Sequence, residues 1–74
     1  EETVLSFQLP QATSGTVRIY DLTGKLLWEQ QSDFVQGYNQ LIVTQKSLGA
    51  QGLLLYTLET PQHRATGRMV VLPE

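Results

Sequence analysis

The side chains in this sequence that could do chemistry are few and far apart. His63 is the only histidine, and it lies beside Arg64 in a polar stretch after Pro61. Nucleophilic catalysis needs a serine or cysteine, a base and an orienting acid converging in one pocket. With no cysteine, four serines and one turn histidine, the expectation is an exposed histidine in a hairpin loop. Asp21, Glu29, Asp33 and Glu59 are scattered singly along the chain. No pair of them has the spacing of a calcium loop or of a glycosidase acid and base. The glycines form neither GxGxxG nor a P-loop, so nothing points to phosphate binding. We therefore expect no catalytic residue, no metal, no cofactor, no small-molecule substrate and no enzymatic activity. One binding chemistry stays open: Trp28, Tyr38 and Tyr56 could stack on sugar rings if they shared a face. Each also has a plain structural use.

The elements that must position these residues read as strands. Thr16 to Trp28 (TVRIYDLTGKLLW) is the organising stretch. Val17 and Ile19 alternate with Arg18 and Tyr20, the period of a strand with one buried face. Asp21-Leu22-Thr23-Gly24 reads as a type I turn, with Asp21 accepting from the amides ahead of it and Gly24 taking a positive φ. Leu22 has no obvious local use in that turn and is expected to fold under and cap one end of a core. Lys25 to Glu29 follows as a second strand, in which Leu26, Leu27 and Trp28 cannot all point inward.

Thr3 to Leu9 alternates with Leu5, Phe7 and Leu9 on one face, and Pro10 ends it by removing a backbone donor. Gln11 to Gly15 reads as a polar loop. Glu29 to Asp33 is polar, with Phe34 and Val35 an apolar pair under the next turn and a short seventh strand possible over Ser32 to Val35. Gly37-Tyr38-Asn39 marks that turn, and Gln40 to Thr44 is a strand with Leu41 and Val43 inward. Leu48 plugs a connection holding Gly49 and Gly52. Leu53 to Leu58 is an unbroken apolar run, expected to be a central strand buried on both faces or nearly so. Pro61 to Ala65 reads as a turn, and Arg64 to Leu72 as the last strand. Strands at short, regular spacing with no convincing helix predict an all-β antiparallel β-sandwich. It has six to seven strands in two sheets, connected as a Greek key or a meander. Its expected core is Leu5, Phe7, Val17, Ile19, Leu41, Val43, Tyr56 and Val71.

Composition agrees with one small globular domain over residues 1–74. At 74 residues and 41% hydrophobic, folding buries roughly 60% of the unfolded surface, and without cysteine no disulfide adds to the core. A net charge of −2 offers no basic face for nucleic acid. No apolar run approaches the roughly 20 residues of a membrane helix. The abrupt start at Glu1-Glu2-Thr3 leads us to expect a domain cut from the end of something longer.

Five signals then occur in order along nearly the whole chain. They are Phe7-x-Leu9-Pro10, Val17 through Asp21-Leu22-Thr23-Gly24-Lys25, Gly37-Tyr38-Asn39, Leu48 through Gly52 to Tyr56-Thr57-Leu58, and Arg68-Met69-Val70-Val71-Leu72. This succession resembles the C-terminal sorting domain of type IX secretion cargo, which is itself similar to the immunoglobulin-like domain of flagellar hook-capping proteins. Leu54 stands where that family usually carries a tyrosine, and Pro73-Glu74 follow where many members end beside a basic residue.

The resemblance implies a non-enzymatic address on a larger cargo in a Gram-negative cell. The cargo domain would lie N-terminal to it and cross the inner membrane on its own N-terminal signal. The folded domain would then be recognised in the periplasm by the outer-membrane translocon. A cell-surface sortase would cut upstream of the first strand, leaving the cargo at the cell surface or outside the cell. The residues expected to be read are Arg64, Gly67, Arg68, Met69, Val70, Val71 and Leu72. Asp21, Gly24, Gly37, Asn39, Gly52 and Tyr56 are expected to hold the fold. The alternatives are an immunoglobulin-like spacer and a carbohydrate-binding accessory module of an extracellular enzyme.

Overall fold

Alternation and turn chemistry produce six strands and one helical turn among the described residues. The computed structural model describes residues 2–72. The elements are β1 (Glu2–Leu9), β2 (Thr13–Tyr20), β3 (Leu26–Phe34), β4 (Gly37–Thr44), α1 (Gln45–Leu48), β5 (Gly52–Glu59) and β6 (Arg64–Val71). β1 and β4 form a two-stranded sheet, and β3-β2-β5-β6 form a four-stranded sheet. Every pairing is antiparallel. The larger sheet is two hairpins, β2–β3 and β5–β6, lying side by side along β2 and β5. That neighbour pair is not sequential, so the connection is not a simple meander.

The core lies between the two sheets. Leu5, Leu9 and Val43 face inward from the small sheet, and Val17, Ile19, Phe34, Leu54, Leu58, Met69 and Val71 from the large one, with Leu48 of α1 closing one side. Five of the eight expected core residues are fully buried, and Phe7, Leu41 and Tyr56 pack against them half-buried. The rings of Phe7 and Phe34 meet edge to face across the sheets, 5.1 Å between centroids.

Several expectations are corrected. Thr13 to Gly15 is not loop: it is the start of β2, paired with Ser32 to Phe34. The polar segment Glu29 to Asp33 continues β3, so there is no separate seventh strand among the described residues. Solvent-facing edge strands need no apolar alternation to pair. Leu22 is 62% exposed and caps nothing, and Val35 is exposed although its neighbour Phe34 is buried. Leu53 to Leu58 is buried on one face only, because two layers give each strand a single covered side; Leu53 and Leu55 are 40% and 37% exposed. Leu26 to Trp28 is resolved by a register shift opposite Ile19/Tyr20, where Leu26 pairs with Tyr20 and Trp28 with Ile19. This β-bulge makes Leu27 an extra residue, so Leu27 and Trp28 both pack on the core while Leu26 faces out. Pro73 and Glu74, where the sequence departs from the family ending, lie outside the described residues.

Candidate functional site

Asp21, Gly24 and Asn39 each sit in a local hydrogen-bond network at a turn. In the β2–β3 turn, Asp21 accepts hydrogen bonds from the Thr23 hydroxyl (2.6 Å) and the amides of Thr23 (2.9 Å) and Lys25 (3.0 Å). The Gly24 amide donates to the Asp21 carbonyl at 3.0 Å, with φ of 91° at Gly24. The Thr23 hydroxyl above all, and then the Lys25 amide, hold the Asp21 carboxyl below the usual aspartate range. Asn39 is the one polar side chain buried in the core among the described residues. Its amide accepts from the Val35 N–H (3.1 Å) and donates to the carbonyls of Val35 (2.9 Å) and Gly37 (3.2 Å). Those bonds replace a sheet ladder where the chain turns from one sheet into the other. Gly37 and Gly52 take φ of 96° and 95° at the starts of β4 and β5.

Tyr56 and Gly67 face each other across β5 and β6 on the core side. A Cβ on Gly67 would come within 2.5 Å of the tyrosine ring, so the ring occupies the place of the missing side chain. Leu54, where the family usually has tyrosine, is buried in the core.

The terminal strand β6 divides by face. Met69 and Val71 point into the core, and Gly67 lies under Tyr56, so none of the three presents a side chain to a partner. Arg64, Arg68 and Val70 face outward, and Leu72 is exposed just beyond the strand. β6 is an edge strand, paired to β5 alone among the described residues.

Cross-strand registers place these outward residues in two zones. At one end of the large sheet's outer face, Leu26, Tyr20, Leu55 and Arg68 line up across β3, β2, β5 and β6, with Leu53 and Val70 one step beyond. At the other end the carboxylates are not scattered in space. Arg18 bonds Glu29 on β3 and Glu59 on β5 (2.9 Å to the latter), and Glu59 reaches Arg64 at 3.5 Å. The hydrogen bonds from Glu29 and then Glu59 raise the Arg18 pKa above its already high value. This network was invisible in the sequence, since it depends on strand register. Of the two arginines on β6, Arg64 therefore shares an acid. Arg68 has no acidic partner among the described residues.

His63 is exposed in the β5–β6 turn, where its amide donates to the Thr60 hydroxyl and its carbonyl accepts from the Thr60 amide. No three His, Asp or Glu side chains converge among the described residues. Trp28 and Tyr56 flank Ile19 on the core side of the large sheet, while Tyr38 is on the outer face of the small sheet, bonded to Ser6 and Gln40. The three rings therefore do not form one platform. No family model, no curated protein and no solved structure matches the chain.

Proposed function

We propose that this β-sandwich is a C-terminal sorting domain that directs a larger cargo protein across the outer membrane by the type IX route. The observation that carries the proposal is the order of five sequence signals from Phe7 to Leu72. The geometry adds support of a physical kind. An address read in its folded state needs a rigid surface and an accessible edge rather than a pocket. β6 supplies such an edge, with Arg68 and Val70 outward and Met69 and Val71 anchoring it to the core. In this reading the partners are the outer-membrane translocon and a cell-surface sortase. The domain passes through the periplasm and is cut away near β1.

The test fuses residues 1–74 to a neutral periplasmic reporter in a Gram-negative host carrying the type IX machinery. Export of the reporter to the surface is the expected result, with export reduced by Arg68→Glu, which lies outside the core. A folded fusion that stays in the periplasm would overturn the proposal and leave an immunoglobulin-like spacer in its place.

A further inference from the structure

The four-stranded sheet is wider than the two-stranded sheet that covers it, and one side of the sandwich is left open. On the core side, Gln30, Val17, Leu58 and Ala65 form one row across β3, β2, β5 and β6. Val17 and Leu58 are buried, yet Ala65 is exposed although it faces the core layer. Beside it lies an apolar gap lined by Phe7, Leu9, Pro10, Leu58, His63 and Ala65. Across the sheet, Gln30 is a long polar side chain whose amide bonds Ser32, so that rim is finished with polar atoms. The β6 rim is finished with a methyl group at Ala65 and a hydrogen at Gly67.

Two independent features thus meet on one edge strand. Its inner side has an unfilled apolar gap, and its outer side has Arg68, which has no acidic partner among the described residues. We infer that the free edge of β6 takes up an extended segment of another protein. That segment pairs antiparallel to β6, with an acidic residue opposite Arg68 and a large apolar residue opposite Ala65. The existing β5 partner shows the geometry. Leu55 stands opposite Arg68 on the outer face, and Leu58, three residues later, stands opposite Ala65 and fills the core. A strand added on the other side of β6 obeys the same antiparallel count. Its acid precedes its apolar anchor by three positions, and the odd spacing sends the two side chains to opposite faces. Charge complementarity selects β6 over β3, whose outer face carries Glu29 and Asp33 and would repel an acidic segment.

This deepens the sorting proposal, on which it rests for the identity of the partner. Binding is tested on the isolated 74-residue chain. The probe is a short synthetic peptide of alternating threonine and valine with glutamate three residues before phenylalanine. Backbone amide shifts of the labelled chain should move saturably within β6. A peptide with lysine in place of glutamate should bind roughly tenfold more weakly. On Arg68→Glu, checked for unchanged fold by its remaining amide spectrum, the preference between the two peptides should reverse. Ala65→Trp, which fills the gap from within, should weaken both. Absence of shifts in β6, shifts centred on β1, β3 or β4, or equal affinity for both peptides would overturn the inference. So would stronger binding of a peptide with the acid after the phenylalanine. Sedimentation of the chain alone covers the remaining occupant, since a dimer joined through β6 would give the edge to a second copy. The two proposals fail separately. Reporter export without peptide binding removes this inference and keeps the sorting reading, and peptide binding without export does the reverse.

Discussion

The two hairpins of the large sheet are built on one plan and finished differently. β2–β3 closes through Asp21 and Gly24, needs a positive φ, and carries a bulge that turns both Leu27 and Trp28 onto the core. β5–β6 closes through Thr60 and His63 with no positive φ and keeps an unbroken register. The outer strand of the first hairpin is long, acidic and glutamine-rich, and Phe34 seals its end. The outer strand of the second is small at Ala65 and Gly67 and cationic at Arg68. Bulges and charges are the usual ways of protecting an edge from unwanted pairing. β3 has both; β6 has only arginines. The two outer edges of the large sheet thus differ in how strongly they oppose a further strand.

The largest expected difference between the hairpins lies in what they bury. Phe34→Ala should cost about 3–5 kcal/mol, since it empties a buried site in contact with Phe7. Ala65→Leu, at the corresponding rim of β6, should change stability by no more than about 0.5 kcal/mol, because the added side chain enters a gap. Urea unfolding of the two variants measures both. A cost at Ala65 comparable with ordinary overpacking would mean the β6 rim is closed, and the contrast would be gone.

Next in size is the Tyr56–Gly67 pair. Gly67→Ala places a methyl against the tyrosine ring and should cost about 1–3 kcal/mol. In a Tyr56→Ala background the same substitution should cost little, because the obstructing ring is absent. A double-mutant cycle on these neighbours reads the coupling directly. Additive costs would show that Gly67 is required for its backbone alone.

Much of the first hairpin was legible in the sequence, because its signals are local. Val17 and Ile19 alternate, Asp21 and Gly24 sit at turn positions, and their spacing alone specifies the bonds found. What was not legible depends on partners distant in the chain. The bulge at Leu27 is set by register against Ile19 and Tyr20. The leucines at 53 and 55 looked doubly buried because an apolar run carries no record of how many layers will cover it. Leu22 looked like a cap for the same reason. Glu29 to Asp33 lacked strand patterning because an edge strand owes its place to the ladder with β2. For the candidate site, the exposed Arg68 and Val70 could be read from alternation with Met69 and Val71. The acid that takes Arg64, and the gap beside Ala65, could not.

A pH titration should sharpen the contrast between the two turns. The folded state holds Asp21 at a lowered pKa, so it favours the charged carboxylate relative to the unfolded chain. That contribution is complete above the ordinary aspartate value of about 3.9. It is lost as pH falls through the lower folded value. Asp21→Asn should therefore lower the unfolding midpoint at neutral pH and flatten the acid limb of the stability curve. The Thr60–His63 turn, held by a hydroxyl and backbone groups, should show no such acid loss when Thr60 is replaced by serine. An unchanged acid limb in Asp21→Asn would remove the turn carboxylate from the account.

The smallest expected effect is in the charge network that ties the hairpins together. Arg18 sits on β2 between Glu29 of the first hairpin and Glu59 of the second, and Arg64 of β6 extends the chain of charges. All of these groups face solvent, where single ion pairs contribute little and salt screens them. Arg18 nevertheless separates two carboxylates. Arg18→Met keeps the hydrocarbon stem over the sheet but leaves Glu29 and Glu59 as unshielded neighbours. The variant should unfold at a lower temperature in dilute buffer, with the deficit closing as salt rises toward 1 M. Arg64→Met removes only an end charge and should produce a smaller deficit. The order of the two variants is the informative quantity, since it separates a cation shared between hairpins from one that decorates an edge. Equal deficits, or a deficit at Arg18 indifferent to salt, would mean the arginine acts through packing on β2, with the hairpins held together by the β2–β5 ladder and the shared core alone.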